Sequence, residues 1–346
     1  MAYISNPKLI PPAGIAFTEN KKFAALCERK DCRDVIGIYY AGNDWKIVNQ
    51  IELDTMDVQD VKWTHKDSAI LVYDNAIESK IMIYSAATGD QLCKFEPDVI
   101  GLGIKTLSES PNKVILAAGI FDGTVILYNH LTQREIVTLT HPAKLDLNQP
   151  AQKTMYVYQE EVSKDRKMLG ASVSYQYVCY QNVQDTDEDK KKHDIIKVPA
   201  IGKKEIEGFT KSKFETVGTS GPPTGVSKMD WSYTTHYLAT KVDSMPCAVW
   251  IWDMTTLELA SVLIHKDQVK TFQFSPNSND LYILTGNSRV FTWAPLGASV
   301  IELPQSGFGK DLVNSTCLNK IKWNPNSRNM LLFDKTELLI GIPPQG

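Results

Sequence analysis

No apolar run in this chain of 346 residues approaches the ~18–20 residues that a membrane-spanning helix needs. Residues 1–12 also lack the apolar centre of a secretory leader, so neither a span nor a leader is expected. A charge excess is missing too: 37 Lys and Arg stand against 40 Asp and Glu, a net charge of −3. Without a global basic field, neither nucleic acid nor an anionic membrane is expected as a partner. The six cysteines (Cys27, Cys32, Cys93, Cys179, Cys247, Cys317) are scattered rather than spaced as the disulfide framework of a short secreted chain. They read as reduced thiols in a cytoplasmic protein.

Site chemistry is equally sparse. Cys27 and Cys32 have no second Cys/His pair at zinc-ligand spacing, and the six histidines (His65, His130, His141, His193, His236, His265) form no His-x-x-x-His pair. Gly101-Leu102-Gly103 opens like a dinucleotide loop, but Thr106 stands where a third glycine is needed. There is no Gly-x-Ser-x-Gly elbow and no Gly-Lys-Ser/Thr phosphate loop. Asp74, Asn75 and Asp243 are scattered acids and amides that converge on nothing. No catalytic residue, cofactor or metal ligand is assigned, and the chain is read as a non-enzyme.

What the chain does have is repetition. Gly225–Asp253 begins with the step Trp231-Ser232, continues through the short apolar strand Leu238-Ala239-Thr240, and ends in Val249-Trp250-Ile251-Trp252-Asp253. A strand ending in Trp-Asp is the signature of a WD40 repeat, a four-stranded blade of roughly 40–45 residues. The aromatic-polar step recurs as Phe17-Thr18, Trp63-Thr64, Phe274-Ser275 and Trp323-Asn324, with Leu107-Ser108 filling one slot less clearly. Phe17 to Trp63 is 46 residues, Trp63 to Leu107 is 44, and Trp231 to Phe274 is 43. The closing strand recurs as Ile36–Tyr39, Ile81–Tyr84, Val125–Tyr128 and Val290–Trp293; Tyr39 to Tyr84 is 45 residues, Tyr84 to Tyr128 is 44, and Trp252 to Trp293 is 41. Two independent landmarks share one period.

These segments are rich in β-branched and aromatic residues, and turn signals such as Thr88-Gly89-Asp90 and Pro276-Asn277 separate them. Asp122-Gly123 predicts a type I′ hairpin. The expected fold is all-β, a WD40 β-propeller of six to seven blade units, incomplete or open on its N-terminal side. Residues 1–141 hold three units, with 1–12 as outer strand of a neighbouring blade, Ala2–Ser5 pairing with Leu338–Ile340. Residues 142–224 form an irregular insertion, either a degenerate blade or an elaborated outer strand, and carry the charge run Asp185–His193. Residues 225–346 hold three more units, the last beginning near Cys317.

Two stretches, Ala25–Asp34 and Leu238–Asp253, are specific beyond the generic repeat, and Asp44-Trp45-Lys46, Leu102–Lys105, His141-Pro142-Ala143 and Thr285-Gly286 go with them. They resemble the centrosomal WD repeat-containing protein 8 family along nearly the whole chain except 143–224. Members of that family begin with further WD units, and Met1 aligns with the tail of one of them. The resemblance implies a non-enzymatic scaffold at centrosomes, spindle poles and basal bodies, within the cytoskeleton. It would work with a coiled-coil adaptor, and in some lineages a minus-end-directed kinesin, to anchor microtubule minus ends in spindle assembly and ciliogenesis. The alternative is a WD40 substrate-receptor or assembly subunit of a ubiquitin-ligase or RNA-processing complex.

Two residue sets follow from this reading. Lys21, Lys22, Arg29, Lys30 and Arg33 form a modest basic cluster, expected on one hairpin, either solvated or in contact with an acidic partner. Tyr39, Tyr84, Tyr128, Trp252, Asp253 and Trp293 are repeat-signature residues, expected to wedge between blades rather than to carry chemistry.

Overall fold

The computed structural model describes residues 14–42, 45–64, 66–99, 101–146, 155–162, 175–181, 195–197, 224–287, 289–303, 318–324, 329–333 and 338–341. The first sheet is built from β1 (Ile15–Phe17), β2 (Phe23–Lys30), β3 (Arg33–Tyr40) and β4 (Lys46–Glu52). The second holds β5 (Asp60–Thr64), β6 (Ala69–Tyr73), β7 (Ile81–Ser85) and β8 (Gln91–Phe95), and the third β9 (Ile104–Glu109), β10 (Ile115–Ile120), β11 (Val125–Asn129) and β12 (Arg134–Leu139). Four strands follow: β13 (Lys144–Asp146), β14 (Tyr156–Val162), β15 (Tyr175–Gln181) and β16 (Ile195–Lys197). The fourth sheet contains β17 (Val226–Trp231), β18 (Tyr237–Val242), β19 (Ala248–Asp253) and β20 (Glu258–Ile264). The fifth has β21 (Thr271–Phe274), β22 (Leu281–Leu284), β23 (Arg289–Ala294) and β24 (Gly297–Glu302), and the sixth β25 (Lys320–Trp323), β26 (Met330–Phe333) and β27 (Leu338–Gly341). Among the described residues no helix occurs. Ala2–Ser5, Asp185–His193 and Cys317 lie outside the described residues.

Each repeat is an antiparallel meander, and the aromatic-polar step is its first turn. The residue after the first strand closes a five-residue turn through backbone and side chain together. Ser232 N donates to Tyr237 O at 2.9 Å, and Tyr237 N donates back to Ser232 Oγ at 3.0 Å. Thr18 with Phe23 and Ser110 with Ile115 repeat the exchange. The third unit therefore turns at Ser110, not at Ser108 as the Leu107-Ser108 reading had it. Asp122-Gly123 also differs from expectation: Ile120 N bonds Thr124 O across a three-residue loop, and only Gly123 has positive φ, at 95°. Here the glycine alone is left-handed, whereas a type I′ turn needs positive φ at both central residues. The two-residue turn with that conformation is Asp31-Cys32, φ 47° and 63°, between the paired Lys30 and Arg33.

A register shift recurs between third and fourth strands. It falls between Ile38 and Tyr39, Ile83 and Tyr84, Leu127 and Tyr128, and Ile251 and Trp252, each time just ahead of the signature aromatic. The extra residue lies on the fourth strand each time, at Val48, Leu92, Ile136 and Ala260, and a bulge bends the strand that carries it. β23 and β24 pair without one.

The core explains why single sheets need neighbours. Successive side chains on β6 point to opposite faces. Ile70 and Val72 pack with Ile36, Ile51 and Trp63 of one cluster, while Ala69 and Leu71 pack with Leu116, Ala118 and Ile126 of the next. The same division holds at β22: Leu281 and Ile283 join Val249, Ile251 and Phe272, while Tyr282 and Leu284 join Trp323, Met330 and Leu332. With both faces buried, such strands read as continuous apolar runs.

The chain forms two units, Met1–Leu139 and Thr140–Gly346. In the second, β14 lies parallel to β20 and antiparallel to β15, so the fourth sheet is six-stranded in the order β15-β14-β20-β19-β18-β17. This part of the 142–224 segment is thus an added outer layer on a repeat sheet. Glu160 of β14 anchors it: fully buried, its carboxylate pairs with Arg289 and accepts from Lys266 N at 2.9 Å. Across the first strands of the fourth and fifth sheets, Asp230 Oδ2 accepts from Phe274 N at 2.6 Å and Lys228 Nζ donates to Thr271 Oγ1 at 2.6 Å. Burial pushes the Asp230 carboxyl up to about 6, against the opposing pull of the Phe274 amide and Lys228.

Candidate functional site

In the first unit, β1, β5 and β9 and the turns after them line a cleft of about 720 Å³. Cross-sheet hydrogen bonds hold these strands together. Trp63 Nε1 donates to Ala16 O at 2.9 Å, Lys62 Nζ to Leu107 O at 3.3 Å, and Glu19 N to Asp67 Oδ2 at 2.8 Å. Phe17 offers the cleft an exposed ring, 50% accessible, set edge-on to Trp45 at 6.3 Å between centroids. Charges of both signs surround it, and most are already matched: Lys62 to Asp60 at 3.3 Å and Lys113 to Glu109 at 2.6 Å. Lys66 and Asp67 on the rim hold positive φ, 54° and 64°. Such backbone costs non-glycine residues about 1–2 kcal/mol each, and the Glu19–Asp67 bond holds it in place here.

Glu109 is the unusual member. It occupies the slot where the other units carry Phe17, Trp63, Trp231, Phe274 and Trp323. Its side chain is 4% exposed, and it accepts a hydrogen bond from Thr64 Oγ1 besides its pair with Lys113. The shift of slot hid it, although Ser110-Pro111-Asn112 copies Ser275-Pro276-Asn277 and would have given the register. Among the described lining residues there is no thiol and no imidazole. Spaced charges around an exposed aromatic ring suit the docking of a polypeptide.

The five basic residues do not form one patch. Lys21 and Lys22 sit in the turn before β2, while Arg29, Lys30 and Arg33 lie at its far end, about 20 Å away by strand rise. The distal three are ion-paired: Arg29 with Asp34 at 3.5 Å and Asp57 at 3.6 Å, Lys30 with Glu28 at 3.1 Å, Arg33 with Glu52 at 3.5 Å.

The signature residues sit on third strands. Tyr84, Tyr128, Trp252 and Trp293 are buried and Tyr39 is partly so. Tyr39 Oη donates to Glu28 Oε1 at 2.6 Å; burial and that carboxylate push the phenol up to about 12. Asp54 N donates to Tyr84 Oη at 3.0 Å, and Tyr128 packs on Phe95 at 4.7 Å. Trp252 Nε1 donates to Thr240 Oγ1 at 3.0 Å, and Asp253 Oδ1 accepts from Thr255 N at 2.7 Å. Of the scattered acids, Asp74 is buried and accepts from the amides of Met56, Asp57 and Asn75, each at 2.8 Å. Among the described residues no group of three His, Cys, Asp or Glu is placed to hold a metal ion.

No family model matches the chain. It is 32% identical over 307 residues to WD repeat-containing protein WRAP73 of Mus musculus, covering 89% of this chain and 63% of the relative. It is 20% identical over 327 residues to an uncharacterized WD repeat-containing protein of Schizosaccharomyces pombe, covering 89% of this chain and 57% of that one. The chain thus spans about three fifths of the length of these curated relatives. In fold it is similar to the WD40 domain of Toxoplasma gondii coronin, with a TM-score of 0.51 at 11% identity over 96% of this chain and 67% of the other. The repeated four-stranded meanders, the buried third-strand aromatics and these likenesses lead to one conclusion: the chain has the WD40 fold.

Proposed function

We propose that this protein is a non-enzymatic scaffold at the centrosome, spindle pole or basal body, helping to anchor microtubule minus ends together with a coiled-coil adaptor. Scaffolding by protein contact is the general role of WD40 domains, whose strands hold exposed turns in fixed positions. The observation that carries the reading is the likeness to WD repeat-containing protein WRAP73 across 89% of the chain. The specific stretch Leu238–Asp253 supports the centrosomal part through the family resemblance. A minus-end-directed kinesin is a further proposed partner. The first-unit cleft, with Phe17 on its wall, is the proposed docking surface.

Affinity purification of the tagged full chain, with identification of co-purifying proteins and imaging of the tag, tests this. Recovery of a coiled-coil centrosomal protein and tag signal at microtubule-organising centres are expected. Recovery of ubiquitin-ligase or RNA-processing subunits with a diffuse or nuclear tag would overturn the proposal.

A further inference from the structure

A second cavity, of about 210 Å³, opens in the second unit between the fourth and fifth sheets. Small-molecule sites run to ~300–1,000 Å³, so this one is sized for a single side chain. Three aromatic residues from three separate strands line it: Tyr156 of β14, Tyr237 of β18 and Trp293 of β23. Tyr237 and Trp293 meet edge to face, 5.1 Å between centroids at 78°. Trp293 is fixed in that pose by its Nε1, which donates to Ser261 Oγ at 3.2 Å. The charge on the cavity is of one sign. Asp253 and Glu258 line it, and no described lining residue is basic. Strand register brings them there: Tyr237 is opposite Asp253, and Asp253 is opposite Glu258. Burial and, after it, the Asp253 carboxylate push the Tyr237 phenol up.

Aromatic faces attract cations, more strongly as water is excluded, and carboxylates at the same cavity add to that field. We propose that this cavity is a receptor for the ammonium head of a lysine, bare or methylated, presented by a partner protein. The aromatic rings take the apolar stem and the two carboxylates take the charge. Lysine suits the space better than arginine, because a compact ammonium needs no planar, bidentate partner. The inference rests on the chain being a protein-binding platform and is independent of the organelle in which it works.

Ligand-detected NMR with the full chain tests it, using Gly/Ser nonapeptides with a central lysine, trimethyl-lysine, arginine or norleucine, titrated to millimolar concentration, and free n-butylammonium as a separate arm. The lysine or trimethyl-lysine peptide is expected to bind at least about tenfold more tightly than the norleucine peptide, its uncharged isostere. Glu258→Gln, at an exposed position, should weaken the lysine peptide by about tenfold while leaving thermal unfolding unchanged. Equal binding of lysine and norleucine peptides, tighter binding of arginine, or n-butylammonium binding as tightly as the peptide would overturn the proposal. So would the absence of lysine-peptide binding in a chain that still recovers its partners, and that outcome leaves the scaffold reading intact. Lysine binding without centrosomal partners would do the reverse.

Discussion

His141 Nε2 lies 2.7 Å from Thr240 Oγ1, across 99 residues of chain. The same hydroxyl takes the hydrogen bond of Trp252 Nε1, and the His141 ring stands edge-on to Trp250 and Trp252 at 5.0 and 5.4 Å. One buried hydroxyl thus joins the residue at which the chain leaves the repeat pattern to the strand at which it returns.

Thr240→Val keeps the shape of that side chain and strips both bonds. Stability should fall by about 2–3 kcal/mol, since a buried indole N–H and an imidazole lose their shared partner at once. Urea unfolding of the second unit is the measurement. Thr255→Val, at an exposed position, should change it by no more than about 0.5 kcal/mol.

His265 and Asp230 give stability a pH dependence of opposite sign. His265 is fully enclosed, with Nδ1 3.1 Å from Cys247 O, and burial holds its imidazole down to about 4. The unfolded chain takes up that proton near 6.5 and the native one only near 4, so stability falls as pH drops through this window, by up to about 3 kcal/mol. Asp230 works the other way: with its native value raised to about 6, the native state holds the extra proton and loses stability as pH rises from about 4 through 6. His265→Asn should flatten the acid-side loss in a pH series of unfolding curves. Asp230→Asn should make stability fall more steeply with acid, because the opposing slope is gone.

Glu160→Ala should take from Arg289, a largely enclosed side chain, its Glu160 partner, a loss of about 3 kcal/mol. The damage should be local. Amides of Tyr156–Gln159 should exchange far faster with solvent, while those of β22 keep most of their protection.

Phe17→Ala removes a half-exposed ring from the first-unit cleft. Unfolding should shift by under about 1 kcal/mol. Recovery of bound partners in affinity purification should drop by tenfold or more if the cleft docks protein, since buried aromatic anchors dominate interface energies.

Arg33→Glu tests the basic set. Arg33 and its partner Glu52 are each 74% exposed, so stability should change by under about 0.5 kcal/mol. Microtubule co-sedimentation that is unchanged in Lys30→Glu/Arg33→Glu would remove this hairpin from the list of contacts.

The repeat was legible because its landmarks obey local physics. A hydroxyl or amide after the first strand can close a turn, and an apolar third strand buried on both faces reads as a continuous run. Four third strands therefore match their observed bounds to within a residue, and the first, read from Ile36, begins three residues earlier at Arg33. The third unit was misplaced by two residues because Glu109 stands where an aromatic was sought. The spread of the basic set was not legible for a different reason: the sequence from Lys21 to Arg33 spans a full eight-residue strand, which puts its two halves at opposite ends. Nor does sequence spacing indicate that Tyr156 joins Tyr237 and Trp293, since that depends on β14 lying parallel to a strand about a hundred residues away.

The bulge ahead of the signature aromatics has a second effect. A regular outer strand offers an unbroken row of amides and carbonyls to any other strand that approaches. In β4, β8 and β12 that row is broken by the displaced register, and in β20 it is taken by β14. The kink at Val48, Leu92 and Ile136 also spoils these rims as templates, so a strand of another chain finds no regular partner to extend.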